Sequence, residues 1–260
     1  MSGGLPRLEV DALGVATITL ARPAHLNRLH REDLLALQDH FARLRDDATA
    51  RVLVLTGEGR VFCAGFHLGQ LGEAAGAGAG AAEDPQLFER TVDALEALPL
   101  PTVARLNGSV YGGATDLALA CDFRIGVDGM ELRMPAARLG LHYYPSGLRR
   151  FVTRLGLGAA KRLFLLAETV GDEELLAMGY LDRCVPAATL DDAVRHVADA
   201  LAAGAPLAVR GMKASLDDIA GGRDDAATLR GREARCAASD DLREGLQAFA
   251  ERRPPRFGGR

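Results

Sequence analysis

The chain has 260 residues, 48% of them hydrophobic, which suffices for one large domain or a domain with a small extension. Its 31 Lys and Arg stand against 35 Asp and Glu, and a net charge of −4 gives no reason to expect a nucleic-acid or membrane-surface partner, which needs a concentrated basic face, though local basic clusters are compatible with it. No apolar run reaches membrane-span length, and the start Met1-Ser2-Gly3-Gly4-Leu5-Pro6-Arg7 lacks the apolar core of a signal peptide, so a cytoplasmic location is expected.

Residues 7–20 alternate as a hairpin, with Val15, Ile18 and Leu20 carrying the apolar signal after an Asp11-Ala12-Leu13-Gly14 turn. Leu34, Leu35, Leu37, Phe41 and Leu44 recur at helical spacing between Arg31 and Asp46. The following run, Val52-Leu53-Val54-Leu55, reads as a buried strand ending at Thr56-Gly57. The cycle repeats with a helix over about 85–98, a strand at Pro101–Leu106, a helix from Gly112 to Ala120 and a strand at Phe123–Val127. Strand and helix alternate, which favours an α/β fold.

Gly72–Ala82 is almost all Gly and Ala and reads as a flexible loop. From Leu148 onward the pattern predicts helices near 147–155, 158–167, 172–178, 189–203, 206–219, 223–237 and 240–251. The last run, Arg252-Arg253-Pro254-Pro255-Arg256-Phe257, is basic and too proline-rich for regular structure. Cys63, Cys121, Cys184 and Cys236 form no CxxC or Cys/His set, so reduced thiols and no metal site are expected.

Two glycine-bearing segments carry the functional signal. Phe62-Cys63-Ala64-Gly65-Phe66-His67-Leu68 and Asn107-Gly108-Ser109-Val110-Tyr111-Gly112-Gly113-Ala114-Thr115-Asp116 each follow an apolar strand and open a turn or helix. Each can aim backbone N–H groups at a common point, and fixed donors of that kind stabilise a developing thioester oxyanion without reorganising. Taken singly, Gly65 serves a tight turn and Gly112-Gly113 close helix packing equally well.

Read together with Arg22-Pro23…Asn27, Cys121-Asp122, Pro135…Leu139-Gly140 and Ala205-Pro206-Leu207-Ala208, these segments resemble the crotonase, or enoyl-CoA hydratase/isomerase, superfamily over nearly the whole chain. The resemblance implies a crotonase-like spiral of ββα turns over 1–200 with the acyl-CoA site. It also implies a helical region over 201–260 that builds a homotrimer or a hexamer of paired trimers. The oxyanion donors fall on the N–H groups of Phe66 and Gly113. The substrate is an acyl-CoA, with no cofactor beyond its CoA moiety.

The reaction is less simply carried over. Family hydratases use two glutamates, and the matching positions hold Asp116, one methylene shorter, and Ala136, which has no carboxylate to activate water. The segment Leu141-His142-Tyr143-Tyr144-Pro145-Ser146-Gly147 offers an imidazole, two phenols and a hydroxyl in their place. The local pattern also resembles methylmalonyl-CoA decarboxylase, whose tyrosine falls on Tyr143; its oxyanion histidine matches Phe66, with His67 one residue later. Phe66 resembles the position in an aromatic acyl-CoA dehalogenase, but Tyr144 stands where that enzyme has its nucleophilic aspartate.

Three readings stay open: an atypical hydratase or isomerase using Asp116 with His142 or a tyrosine, a malonyl-type decarboxylase using Tyr143, and a non-catalytic acyl-CoA-binding protein. Tyr143 and Tyr144 read equally as core aromatics, His142 and His67 as loop imidazoles, and Glu131 as a solvated strand residue. For the CoA phosphates the resemblance implies Arg22, His25 and Arg28 with Ala64 at the rim, and Arg252 and Arg253 from a neighbouring subunit's tail. The lysine usual beyond the first segment is replaced by Leu68-Gly69-Gln70.

Overall fold

A computed structural model describes residues 3–67, 84 and 86–260. Strands β1 (Arg7–Val10) and β2 (Val15–Leu20) form the expected antiparallel hairpin, closed by Asp11, whose carboxylate accepts from the N–H groups of Leu13 and Val15 at 2.9 Å. Helix α1 (Arg31–Asp46) turns its Leu34, Leu37, Phe41 and Leu44 stripe inward, and β3 (Val52–Gly57) then lies parallel to β2. Every residue of β3 is buried, as an interior strand of a parallel sheet covered on both faces must be.

Helix α2 (Leu87–Glu96), β4 (Thr102–Leu106), β5 (Val110–Tyr111), α3 (Gly113–Leu119) and β6 (Phe123–Val127) repeat the cycle. The principal sheet has the order β1-β2-β3-β4-β6-β9, parallel after the hairpin, and ends at β9 (Arg183–Val185). A second sheet, β5-β7-β8, joins β5 to β7 (Glu131–Arg133) and β8 (Thr169–Gly171). The chain thus winds as a spiral of strands and helices, the mixed α/β architecture that the resemblance implies.

The all-helical expectation after Leu148 needs correction, because β8 and β9 interrupt it. Each has three residues, too few to show a two-residue period. The two helices expected over 147–167 are one element, α4 (Pro145–Lys161), continued by a wide turn at Arg162–Leu166. The expected break survives as Gly156, whose φ of 79° leaves the helical region. After α5 (Asp172–Ala177) and α6 (Leu190–Ala202) come α7 (Pro206–Ala220), α8 (Ala226–Ala237) and α9 (Asp240–Glu251).

Neither α7 nor α8 has a buried residue within the chain. Met212, Leu216 and Ile219 on α7, and Leu242, Leu246 and Phe249 on α9, are exposed at successive four- and three-residue spacings, so each helix presents an apolar stripe. The tail folds back on its own chain: Asp241 accepts from the N–H groups of Gly258 and Gly259, and Arg51 donates to the Phe257 carbonyl at 3.0 Å. The expected loop at Gly72–Ala82, and Leu68-Gly69-Gln70, lie outside the described residues. Among those described, no helix is long and apolar enough to cross a membrane.

Candidate active site

Two asparagines, Asn27 buried and Asn107 half-buried, set the approach to the first glycine segment. Asn27, in the left-handed region at φ 54°, donates from one amide to the carbonyls of Glu58, Val61 and Phe62 at 2.8–3.1 Å and accepts from the Arg22 N–H. Asn107 donates to the Gly59 carbonyl at 2.8 Å and accepts from the Gly57 N–H at 3.2 Å. Together they fix the turn after β3, from which Cys63 through His67 emerge.

That piece runs parallel to residues 26–29. Ala64 N–H donates to the Leu26 carbonyl, Leu29 N–H to the Gly65 carbonyl and His67 N–H to the Leu29 carbonyl, each at 2.8–2.9 Å. The Gly65 carbonyl and the His67 N–H, which flank Phe66, make the bridge to Leu29, so the Phe66 N–H is turned away from this ladder. It meets no backbone acceptor among the described residues.

The second segment lies alongside the first. Cys63 and Val110 form a parallel bridge, and Tyr111 N–H donates to the Cys63 carbonyl at 3.1 Å. Gly112 (φ 55°, ψ −131°) then turns the chain into α3, its N–H held by the Arg133 carbonyl. Gly113 opens the helix, and its N–H has no backbone acceptor among the described residues either. A methyl placed on Gly65, itself at φ 88°, would lie 3.1 Å from the Gly113 nitrogen and 2.6 Å from the Tyr111 carbonyl oxygen. Two uncommitted N–H groups therefore stand on neighbouring backbones, the arrangement that stabilises a carbonyl oxygen as it gains charge.

An aromatic wall borders these donors. The Phe88 ring lies against Gly113, where a methyl would come within 2.5 Å of it, and its centroid is 6.0 Å from those of both Phe66 and Tyr144. Tyr144 stacks on Tyr143 at 4.3 Å, and Tyr143 meets Phe164 at 5.1 Å.

One turn into α3, Asp116 is completely buried. Its Oδ1 accepts from Arg150 Nη1 at 2.7 Å and its Oδ2 from the Tyr144 hydroxyl; the Tyr143 hydroxyl donates in turn to that of Tyr144 at 3.3 Å. Burial holds the Asp116 carboxyl above the usual carboxylate range, against the pull of Arg150 and Tyr144. Burial, with Asp116 adjacent, also pushes both phenols well above their ordinary values. Gly147 makes room for this cluster: a methyl there would lie 2.5–2.8 Å from Tyr143, Asp116 and Tyr144.

A sequence profile for the Enoyl-CoA hydratase/isomerase family matches residues 11–260. The chain belongs to that family. It is similar to a probable enoyl-CoA hydratase of Rhodobacter capsulatus, 34% identical with 98% of each chain covered. It is equally similar, at 34% with 95% of each covered, to a carnitinyl-CoA dehydratase of Proteus mirabilis. Among solved structures, an enoyl-CoA hydratase/carnithine racemase from Magnetospirillum magneticum superposes with a TM-score of 0.93 at 25% identity, covering 99% of this chain and 96% of that one. An enoyl-CoA hydratase from Bacillus anthracis gives 0.88 at 30%, covering 99% and 100%.

For an enoyl-CoA hydratase/isomerase family member, the site departs from a pair of free carboxylates. Asp116, expected as an acid or base facing substrate, is sealed from solvent between Arg150 and Tyr144. Ala136 is buried at the start of the 3-10 turn Ala136–Leu139, its methyl in the core. Tyr143 is buried and Tyr144 half-buried, which leaves Tyr144 as the more open of the two phenols. His142 is exposed, its Nδ1 2.8 Å from the Tyr143 carbonyl. His67 stacks on His30 at 4.7 Å, and Glu131 is exposed, as expected.

The residues expected to hold CoA are scattered in role. Arg22 donates to Asp33 at 2.9–3.0 Å and to Glu32 at 3.0 Å, an anchor for the first turn of α1. His25 is exposed, and Arg28 and Ala64 are half-buried at the same rim. The Nε of Arg28 is buried without a hydrogen-bond partner among the described residues. Arg252 is exposed, whereas Arg253 binds Glu244 and Glu251 of its own α9, at 2.6 Å for the closest contact to each.

All four cysteines are free. Cys184 lies within 4.8 Å of Asp128 and Asp172, a grouping that its sequence spacing did not show, but burial pushes its thiol up to about 12, the form that binds metal poorly. The functional neighbours that residue patterns missed are Arg150, Glu96 and Phe88.

Proposed function

We propose that the protein binds an acyl-CoA thioester with its carbonyl oxygen on the Phe66 and Gly113 N–H groups and processes the resulting enolate. The observation that supports this best is that both N–H groups are uncommitted on adjacent backbones, one of them held in place by a glycine at positive φ. Each such donor contributes about 2.7–4 kcal/mol to transition-state stabilisation in acyl-transfer enzymes.

In this reading the acid–base unit is the Tyr144–Asp116 pair. A proton leaving the α-carbon passes to the Tyr144 oxygen as the phenolic proton passes to Asp116; the C–H electron pair becomes the enolate, whose charge rests on the two amides. The reverse transfer returns a proton to carbon. Tyr144 stays a neutral phenol throughout, as its raised pKa demands, and burial makes the Asp116 carboxyl a better proton acceptor than an exposed carboxylate. The family relatives support an enoyl-CoA substrate and a hydratase or isomerase outcome.

The missing carboxylate at Ala136 favours a second reading, decarboxylation of a malonyl-type thioester. Loss of CO2 leaves the same enolate without a base, and Tyr144 delivers its proton to carbon as a protonated Asp116 passes one back to the phenol oxygen. Incubation with crotonyl-CoA and with methylmalonyl-CoA separates the two. Tyr144→Phe lowers kcat by about 10²-fold or more in either case while thioester binding persists. A protein that binds both thioesters and converts neither is a non-catalytic binder.

The exposed stripes on α7 and α9 support a homotrimer, alone or paired as a hexamer, since a helix apolar on its outer face needs a partner.

A further inference from the structure

We infer that Arg150 is a positioning residue that keeps Asp116 in its proton-accepting form beneath Tyr144, and that Glu96 and Asp93 hold Arg150 in place. The inference rests on the Tyr144–Asp116 reading above.

Its basis is geometric. The Arg150 side chain is 1% exposed and meets three carboxylates. Nε and Nη2 fork onto Glu96 at 2.9 and 3.0 Å, Nη2 also reaches Asp93 at 2.8 Å, and Nη1 is left for Asp116 at 2.7 Å. The three acids differ in exposure: Glu96 is 34% and Asp93 42% exposed, and Asp116 0%. The two outer carboxylates share their charge with solvent and fix the plane of the guanidinium. The inner one depends on Arg150 and Tyr144 for its stabilisation.

A planar, permanently charged fork is what this task needs. Arginine does not lose its proton, whereas an isolated buried carboxylate takes one up. Without Arg150, Asp116 is protonated in the resting site, and no acceptor remains for the proton that Tyr144 passes on. Lysine supplies the charge but cannot span Glu96 and Asp116 at once.

The other groups facing Asp116 do not substitute. From α2 comes only Glu96, which is anionic, and from the loop before α4 come the phenols of Tyr143 and Tyr144. After α5, Tyr180 donates its hydroxyl to the Thr115 carbonyl at 2.8 Å. Arg154 lies 3.6 Å from Glu96 and gives its other donor to the carbonyls of Leu119 and Cys121. Arg150 is the one cation that any described hydrogen bond or ion pair joins to Asp116.

The experiment combines the pH profile of kcat/KM on the turned-over thioester with a carbon-13 titration of the Asp116 carboxyl, assigned by its loss in Asp116→Asn. In Arg150→Lys, both the acid limb and the Asp116 titration are expected to move up by about one pH unit or more. The KM for thioester should stay within about twofold, since Arg150 does not touch substrate.

Arg150→Lys with an unmoved limb and an unmoved titration overturns the inference. If that variant does not fold, Arg150→Met/Asp116→Asn removes both buried charges and is compared with Asp116→Asn. Equal kcat values support action through Asp116, and a further loss of about tenfold or more contradicts it. Failure of the underlying reading looks different: Tyr144→Phe retains full turnover while the Asp116 titration still follows Arg150.

Discussion

No side chain fits between Gly65 and Gly113, because a methyl on Gly65 would stand 3.1 Å from the Gly113 amide nitrogen. The close approach makes one donor pair out of two segments nearly fifty positions apart. Gly65→Ala must also force alanine to a φ of 88°. The expected result is a folded protein with kcat about 10²–10³-fold lower, because one donor is displaced. Circular dichroism with steady-state kinetics checks this, and unchanged kcat counts against the assignment.

Asp116 gives stability a pH dependence of definite sign. Its carboxyl is raised in the folded state, so between the unfolded value near 4 and the folded value the native protein binds more protons than the unfolded chain. Stability therefore falls as pH rises through that window. Glu96, held below its ordinary value by its bonds to Arg150 despite the cost of burial, acts in the opposite sense and gains stability above the ordinary glutamate range. Urea unfolding of wild type and Asp116→Asn at several pH values isolates the Asp116 part: the wild type should lose ground to the variant as pH rises. A constant difference contradicts the raised carboxyl.

The turn leading to Phe66 depends on one side chain. Asn27→Ala deprives three carbonyls of a donor and leaves alanine in the left-handed region. The expected loss is roughly 3–5 kcal/mol in urea unfolding. A loss below about 1 kcal/mol means that solvent replaces these bonds and that Asn27 does not set the turn.

The apolar stripes make a prediction about assembly. Phe249 is 87% exposed, and Leu246 lies one turn before it. Placing a charge in an apolar interface costs several kcal/mol when it is left unpaired, so Leu246→Asp/Phe249→Asp should sediment as a monomer at concentrations where the parent chain is a trimer or hexamer. If the parent sediments as a monomer, the oligomer proposal fails.

Much of the fold was legible because its signals are local. Val52–Leu55 is a continuous apolar run, α1 has a clean helical stripe, and both glycine segments carry their backbone requirements in adjacent residues. β8 and β9 were missed because three residues establish no period. The cluster around Asp116 was legible only at its ends. Asp116 and Tyr144 stood out as options, but Arg150 lies 34 positions from Asp116 and 54 from Glu96, and nothing local marks a buried arginine inside an ordinary amphipathic helix. The burial of Asp116 was equally hidden, for it follows from Gly147 letting α4 close over α3.

The measurement that bears most directly on the central claim is the infrared carbonyl frequency of a carbon-13-labelled acyl-CoA thioester bound to the protein. If the Phe66 and Gly113 amides both donate to the thioester oxygen, the band shifts to lower frequency on binding, and the shift shrinks in Gly65→Ala. A bound thioester whose carbonyl absorbs as it does in water, in wild type and variant alike, would contradict the account.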